Sequence, residues 1–248
     1  MGRNNLMLEK NYTDVGIERA GGRTIDEGLR AYMAKVYNYM AAALCVTALS
    51  AFLVANTSLL ELMFNPSTGG MSALGWLFLL APLIVVFGFQ WVLTRGTVGQ
   101  VRGVFWLYSV LIGVSLAPIF MVYTGASMAR VFLITAAMFG GMGIYGLTTK
   151  RDLSGWGSFL IMGLWGIIIA TLVNLFIGSE SLYYLLSYVS VFVFVGLTAY
   201  DTQAIRNIYF ASDGEDIAER KVVAGALELY LDFINLFMAL LRIMGDRK

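Results

Sequence analysis

Two acidic residues, Glu228 and Asp232, stand inside the last apolar stretch of this 248-residue chain, residues 222–244, and Asn235 follows them. A carboxylate facing lipid costs about 2.5–3.5 kcal/mol on insertion scales. Read as a helix, the stretch spaces Lys221, Gly225, Glu228, Asp232, Asn235, Ala239 and Arg242 by alternating steps of four and three, which puts them on one face. That stripe has to face protein or water. Two roles are open to it: proton or ion chemistry inside a membrane, or an interhelical hydrogen bond that only holds a bundle together. A further carboxyl, Asp201, lies in FVGLTAYDTQAIRNIY, near the end of the preceding apolar stretch. Ile205, Ile208 and Tyr209 carry the apolar face past it. Asp201 is therefore about two turns inside its helix, ~12 Å from Tyr209, while Asp232 is ~16 Å from Lys221 at the same rise per residue. Helices joined at one side are antiparallel neighbours, so Asp201 and Asp232 fall at similar depth. Two carboxyls this close in a low dielectric cannot both ionise cheaply, and they take up and release protons as a unit. With a shared proton they can lock two helices together. Without it they repel each other and present hard oxygens to a cation.

The elements that must position these residues follow from composition. The chain is 58% hydrophobic and 13% charged, against roughly 45–50% and 25% in soluble domains. The fold class expected is all-α: a polytopic membrane protein, a seven-transmembrane-helix bundle. Spans of ~20 apolar residues are read at 36–55, 73–93, 104–123, 129–148, 157–177, 182–208 and 222–244. Residues 1–35 form a polar tail and 36–248 the transmembrane domain. The absence of histidine removes His-based acid–base chemistry and His-ligated zinc, and the single cysteine, Cys45, removes an intrachain disulfide and a thiolate cluster. A net charge of +1 offers nothing to nucleic acid. Thirteen of the seventeen Lys and Arg residues fall on the side of the N-terminus, which makes that side cytoplasmic. Seven crossings put the C-terminus outside, where Arg242, Arg247 and Lys248 fit poorly. A re-entrant last segment is the alternative. Gly140, Gly141, Gly143 and Gly146, and then Gly163, Gly166 and Ala170, read as small-residue packing faces. Asn174, on the second of these, is placed to hydrogen-bond across the bundle. Pro82 and Pro118 are expected to kink or break their helices. The acidic loop 210–220 reads as a solvated turn.

Four stretches carry a resemblance: SLAPIFMVYT (115–124), FGGMGIYGLTTKRDLSGWGSFL (139–160), FVGLTAYDTQ (194–203) and LYLDFINLFMALLRIMG (229–245). From about residue 29 to residue 247 the chain resembles the Bax inhibitor-one family of transmembrane Bax-inhibitor-motif proteins, in its bacterial branch. The resemblance implies a seven-helix bundle in the bacterial inner membrane and a pH-sensitive calcium leak. It makes Asp201 and Asp232 the pH-sensing pair, with Arg95 as the basic residue that engages it. Glu228, Asn235 and Asn174 then form a polar stripe lining the path. Calcium is the permeant ion and no cofactor is held tightly. Two carboxylates are too few ligands for a tight calcium site, so contact of the metal with Asp201 and Asp232 is transient. The bilayer is the partner expected throughout, and a membrane protease as regulatory partner is compatible with the resemblance. The oligomeric state has no signal in the sequence.

Another class of function uses the same residues. Two membrane aspartates on adjacent helices suggest an intramembrane aspartyl protease, whose dyad shares a proton to activate water. That family's second aspartate sits in Gly-x-Gly-Asp; here Leu229-Tyr230-Leu231 precede Asp232, and no proline follows Pro118. A retinal protein needs a Schiff-base lysine in the last helix, but Lys221 stands at its entrance and the next is Lys248. Proton-coupled transport is open to a titrating pair, without an inverted repeat to support it. The expectation is therefore a channel and not an enzyme.

Overall fold

The computed structural model describes residues 27–65 and 70–248 in full, and residues 3–26 as helix backbone only. The polar tail expected over residues 1–35 thus lies, up to residue 26, outside the described side chains. Helices account for the architecture: α1 (Arg3–Ala55), α2 (Ser58–Leu62), α3 (Ala73–Arg95), α4 (Val98–Leu116), α5 (Ile119–Val122), α6 (Gly125–Thr148), α7 (Ser154–Ile177), α8 (Glu180–Asn207) and α9 (Glu215–Met244). Seven stretches are long and apolar enough to cross a membrane: Glu27–Ala55, α3, Val98–Val122, α6, α7, α8 and α9. Each overlaps a span expected from hydropathy. The first span starts at Glu27 and not at residue 36, and α9 starts at Glu215 and not at residue 222. Its polar first turns hid it, although acidic residues there suit the positive end of a helix. At ~1.5 Å per residue, 30 helical residues cover ~45 Å without interruption, so α9 is long enough to cross and has no turn back within it.

Helix ends are specified by local chemistry. Thr97 and Gln100 form a capping box on α4, and Ser72, Thr124 and Ser179 accept from the first turns of α3, α6 and α8. Asp152 accepts from the Ser154 amide at 2.9 Å and from its hydroxyl at 2.6 Å at the start of α7, and these donors hold its carboxyl below the usual range. Gly178 ends α7 in the left-handed region at φ 66, where a side chain would be strained. Pro118 separates α4 from α5, as expected of a proline there. Pro82 is carried inside α3, which continues through it.

The bundle is built around α9, which packs on α8, α1, α6 and α4. Leu229, Tyr230, Leu236 and Leu241 of α9 are buried completely. The helices α3 and α7 are peripheral, leaning on α4 and α8 respectively. Their outer faces carry large exposed apolar side chains such as Phe87, 80% exposed, and Phe176, 92% exposed, a surface that suits lipid and not water. Lipid supplies no hydrophobic drive between helices, so contact depends on close approach and polar ties. A Cβ on Gly146 would lie 2.4 Å from the Ala199 carbonyl oxygen of α8, and one on Gly143 would lie 2.5 Å from the Tyr37 hydroxyl of α1. Gly140, Gly141 and Gly166 meet nothing within 4 Å, so only part of each small-residue stripe is a packing face. Thr47 of α1 ties three helices: its hydroxyl donates to the Ser109 carbonyl of α4 at 2.9 Å and lies 2.7 Å from the Tyr230 hydroxyl of α9.

Candidate functional site: an aspartate pair between the last two helices

Asp201 stands six residues before the end of α8, and its surroundings fix that end of the helix. The Gln203 carboxamide donates to the Arg151 carbonyl and accepts from the Leu153 amide, both at 2.8 Å. Arg206 donates to the Leu147 carbonyl at 2.6 Å, capping α6. The Thr202 hydroxyl lies 3.2 Å from that of Tyr37. With neighbours on α6, the following loop and α1, this stretch of α8 has one rotational setting, and in it Asp201 faces α9. Asp232 meets it there. Asp232 is 4% exposed, and the two carboxyls lie close enough for a hydrogen bond to form between them. An ionised carboxyl only accepts, so a hydrogen bond between two of them requires a proton on one. Two carboxyls at this separation suit a form in which one of them carries a proton. Oδ2 of Asp232 is buried, and no N–H or hydroxyl of the described residues donates to it. A buried carboxyl oxygen without a donor is costly, and a protonated Asp201 is the neighbouring group that can supply one.

Glu228 lies one turn from Asp232 toward the start of α9, within electrostatic reach of both aspartates. The residue is exposed, on a side of α9 near Asp201 of α8 and Tyr32 of α1. Asn235 is exposed on the same side, donating to the Leu231 carbonyl at 2.8 Å, and borders a cavity of about 260 Å³ with Arg242 and Ser190. The structure thus brings Asp201, Asp232 and Glu228 together and continues them to Asn235. It uses Asn174 differently. The Asn174 carboxamide oxygen accepts from the Ser179 amide at 3.0 Å, closing the turn from α7 to α8. Arg95 is exposed in the last turn of α3 and, among the described residues, makes no ion pair with either aspartate. The end of α3 is served instead by Arg220 of α9, which donates to the carbonyls of Leu93 at 2.6 Å and Gly96 at 2.5 Å.

Sequence reasoning missed Glu219. It is not in a solvated turn but inside α9, 4% exposed. Lys35 of α1 and Arg102 of α4 both pair with it, and the Tyr39 hydroxyl donates to it at 2.8 Å. Its position carried a signal: Val222, Val223, Ala226 and Tyr230 continue from it at helical spacing on the buried face. Of the rest of the expected acidic loop, Asp213 accepts from Lys221 at 2.6 Å, while Glu215 and Asp216 are exposed in the first turn of α9. Among the described residues, no group of three or more Asp, Glu, Cys or His side chains is arranged to hold a metal ion.

Comparison with known proteins places these features in a lineage. The chain is 46% identical over 224 residues to the inner membrane protein YbhL of Escherichia coli (strain K12), covering 89% of this chain and 94% of that one. It is 41% identical over 239 residues to an uncharacterized protein of Rickettsia prowazekii (strain Madrid E), covering 96% and 99%. An uncharacterized membrane protein of Streptococcus pyogenes is 36% identical over 223 residues, covering 89% and 94%. Residues 29–248 match the family described as "Inhibitor of apoptosis-promoting Bax1", a match that takes in six complete spanning helices, nearly all of the first, and both aspartates. The chain belongs to that family, the Bax inhibitor-1 family of membrane proteins.

Proposed function

We propose that this protein is a cation leak channel of a bacterial inner membrane, passing Ca²⁺ and gated by the proton that Asp201 and Asp232 share. The observation that carries the reading is the pair of carboxyls within hydrogen-bonding reach of each other between α8 and the central helix α9, with a buried oxygen of Asp232 that no N–H or hydroxyl group of the described residues reaches. Such a contact holds only while one carboxyl keeps its proton. As the proton leaves, two like charges face each other in a low dielectric and push the helices apart. The tie is thus strongest on the acid side and weakens as pH rises. Glu228 and Asn235 continue the polar edge along α9 and form the path, and Asp201 and Asp232 touch the ion in passing. Calcium takes 6–8 oxygen ligands, more than this edge offers, so the ion is cargo and is released again. A shared proton suits a gate and a protease dyad equally; the gate is supported by Leu229-Tyr230-Leu231 before Asp232, where the protease family has Gly-x-Gly. The charge bias of the ends puts the N-terminal side in the cytoplasm, in keeping with the inner-membrane relative.

The test is Ca²⁺ entry into proteoliposomes stepped from about pH 6 to about pH 8, where a coupled carboxyl pair can titrate. Leak should rise with pH in the wild type. Asp201→Asn and Asp232→Asn keep a hydrogen bond without the repulsion, so both should fold and respond little to pH. A wild-type leak that ignores pH removes the pair as sensor. A variant that keeps the full response shows the pair to be purely structural.

A further inference from the structure

The helices α6 and α7 both lean on α8 and scarcely touch each other. Between them is a cleft of about 450 Å³, floored by Gly196, Ala199 and Tyr200 of α8. Gly196 lets Leu160 of α7 lie close to α8, and the Tyr200 ring packs on Gly157 at one end of the floor. From Tyr200 to Phe192 it runs ~12 Å along the helix. Its walls are apolar and open sideways, where Phe192 is 77% and Trp156 63% exposed. That opening faces the same surroundings as the rest of the lipid-facing surface. One end of the cleft differs. Arg151 stands there, with Lys150 next to it in the loop, both exposed. Neither side chain pairs with a carboxylate among the described residues. Asp152 lies in the same rim, but its carboxylate accepts from the amide and hydroxyl of Ser154. Tyr145 and Trp156 flank the charged end, and both residue types favour the headgroup level of a bilayer. The cleft therefore has an apolar interior open to hydrocarbon and a cationic end at the interface.

We propose that this cleft binds an anionic phospholipid, with its headgroup on Arg151 and Lys150 and an acyl chain along Gly196 and Ala199. Charge complementarity selects the headgroup, because basic pockets between spanning helices suit anionic lipid. The sideways apolar opening selects a lipid over a soluble anion, which would have no use for the interior. The volume is in the range of built ligand sites. The floor residue Tyr200 directly precedes Asp201, so a bound chain would rest on the back of the helix that carries the pair.

The experiment is native mass spectrometry of the full chain in detergent, titrated with phosphatidylglycerol or with phosphatidylcholine of the same acyl chains. Wild type should retain phosphatidylglycerol more strongly. A basic residue near an anionic headgroup contributes about a five-fold gain in binding, so Lys150→Gln with Arg151→Gln should lower phosphatidylglycerol retention by more than about ten-fold and leave phosphatidylcholine unchanged. Met142→Trp, which narrows the cleft from α6, should weaken both lipids. Helix content and thermal midpoint, measured for each variant, identify any that fail to fold. Equal retention of the two lipids, or indifference to the charge changes, overturns the proposal. So does binding untouched by Met142→Trp, or displacement by inorganic phosphate alone, since either result puts the anion on the loop and leaves the cleft empty.

Discussion

Glu219 and Asp232 are both acidic, both 4% exposed and both on α9, yet their surroundings ask opposite things of them. Glu219 is met by Lys35, Arg102 and the Tyr39 hydroxyl, a set of donors that suits a charged carboxylate. Asp232 is met by another carboxyl, and no N–H or hydroxyl group of the described residues donates to its buried Oδ2. The first arrangement suits a fixed charge, and the second depends on a proton. Removing the Glu219 carboxylate by Glu219→Ala should lower stability by about 2 kcal/mol, the scale of lost hydrogen bonds to a charged group. The loss is not larger because Lys35 and Arg102 are about half exposed and can be hydrated once released. The exposed Arg130–Asp246 pair is the comparison, where Arg130→Ala should cost at most about 1 kcal/mol. Thermal unfolding in one detergent measures both, and equal losses would show that burial of Glu219 contributes nothing. The aspartate pair was legible in sequence because counting residues from a shared turn sets depth on two antiparallel helices. Glu219 was not, since its partners lie 184 and 117 residues away and no local pattern points to them.

Among the elements, α6 and α8 show how little of a small-residue stripe does the packing. The sequence offers Gly140, Gly141, Gly143 and Gly146 as equivalent, but the backbone of α8 approaches only the last of them. Gly146→Ala should be destabilising by about 1–3 kcal/mol, the range for overfilling a close contact, because the new methyl would meet the Ala199 carbonyl. Gly140→Ala has open space around it and should be neutral or slightly stabilising, as alanine favours a helix over glycine. The same thermal assay separates them, and a loss at position 140 matching that at 146 would mean the stripe acts as a whole. Helix ends are equally specific. Arg220 caps α3, Arg206 caps α6, Lys221 reaches the Ile208 carbonyl after α8, and Lys248 reaches the Phe120 carbonyl in α5. Hydropathy found the spans because apolar length is a property of each segment alone. The family resemblance put Arg95 beside the pair, and Arg220 was missed, because a basic residue's partner depends on how helices pack, which no segment records. Asn174 was misread for a related reason: its nearest use, closing the turn to Ser179, lies five residues away.

At the scale of the whole molecule, the end holding Lys150, Arg206 and Arg220 should face the cytoplasm, and the turn at Ser179 the other side. The poor fit of positive residues at the far end is eased by local partners. Asp246 pairs with Arg130, Lys248 caps α5, and Arg242 lies 5.4 Å from the Tyr183 ring. Single cysteines at Lys150 and Ser179, in a Cys45→Ala background, should react with an impermeant reagent from opposite sides; reaction from one side alone would sink this topology. Inside the bundle, the mechanical layout is uneven. Glu219 fastens α1, α4 and α9 at one level, and Thr47 fastens the same three at another. Rods joined at two heights form a rigid frame without a hinge. Any displacement driven by the aspartates must then be taken up by α8, with α7 riding behind it, against a stationary post. Spin labels on α8 and α9 should move apart as pH rises while labels on α1 and α4 keep their separation, and a shift between α1 and α4 would show that the frame itself yields.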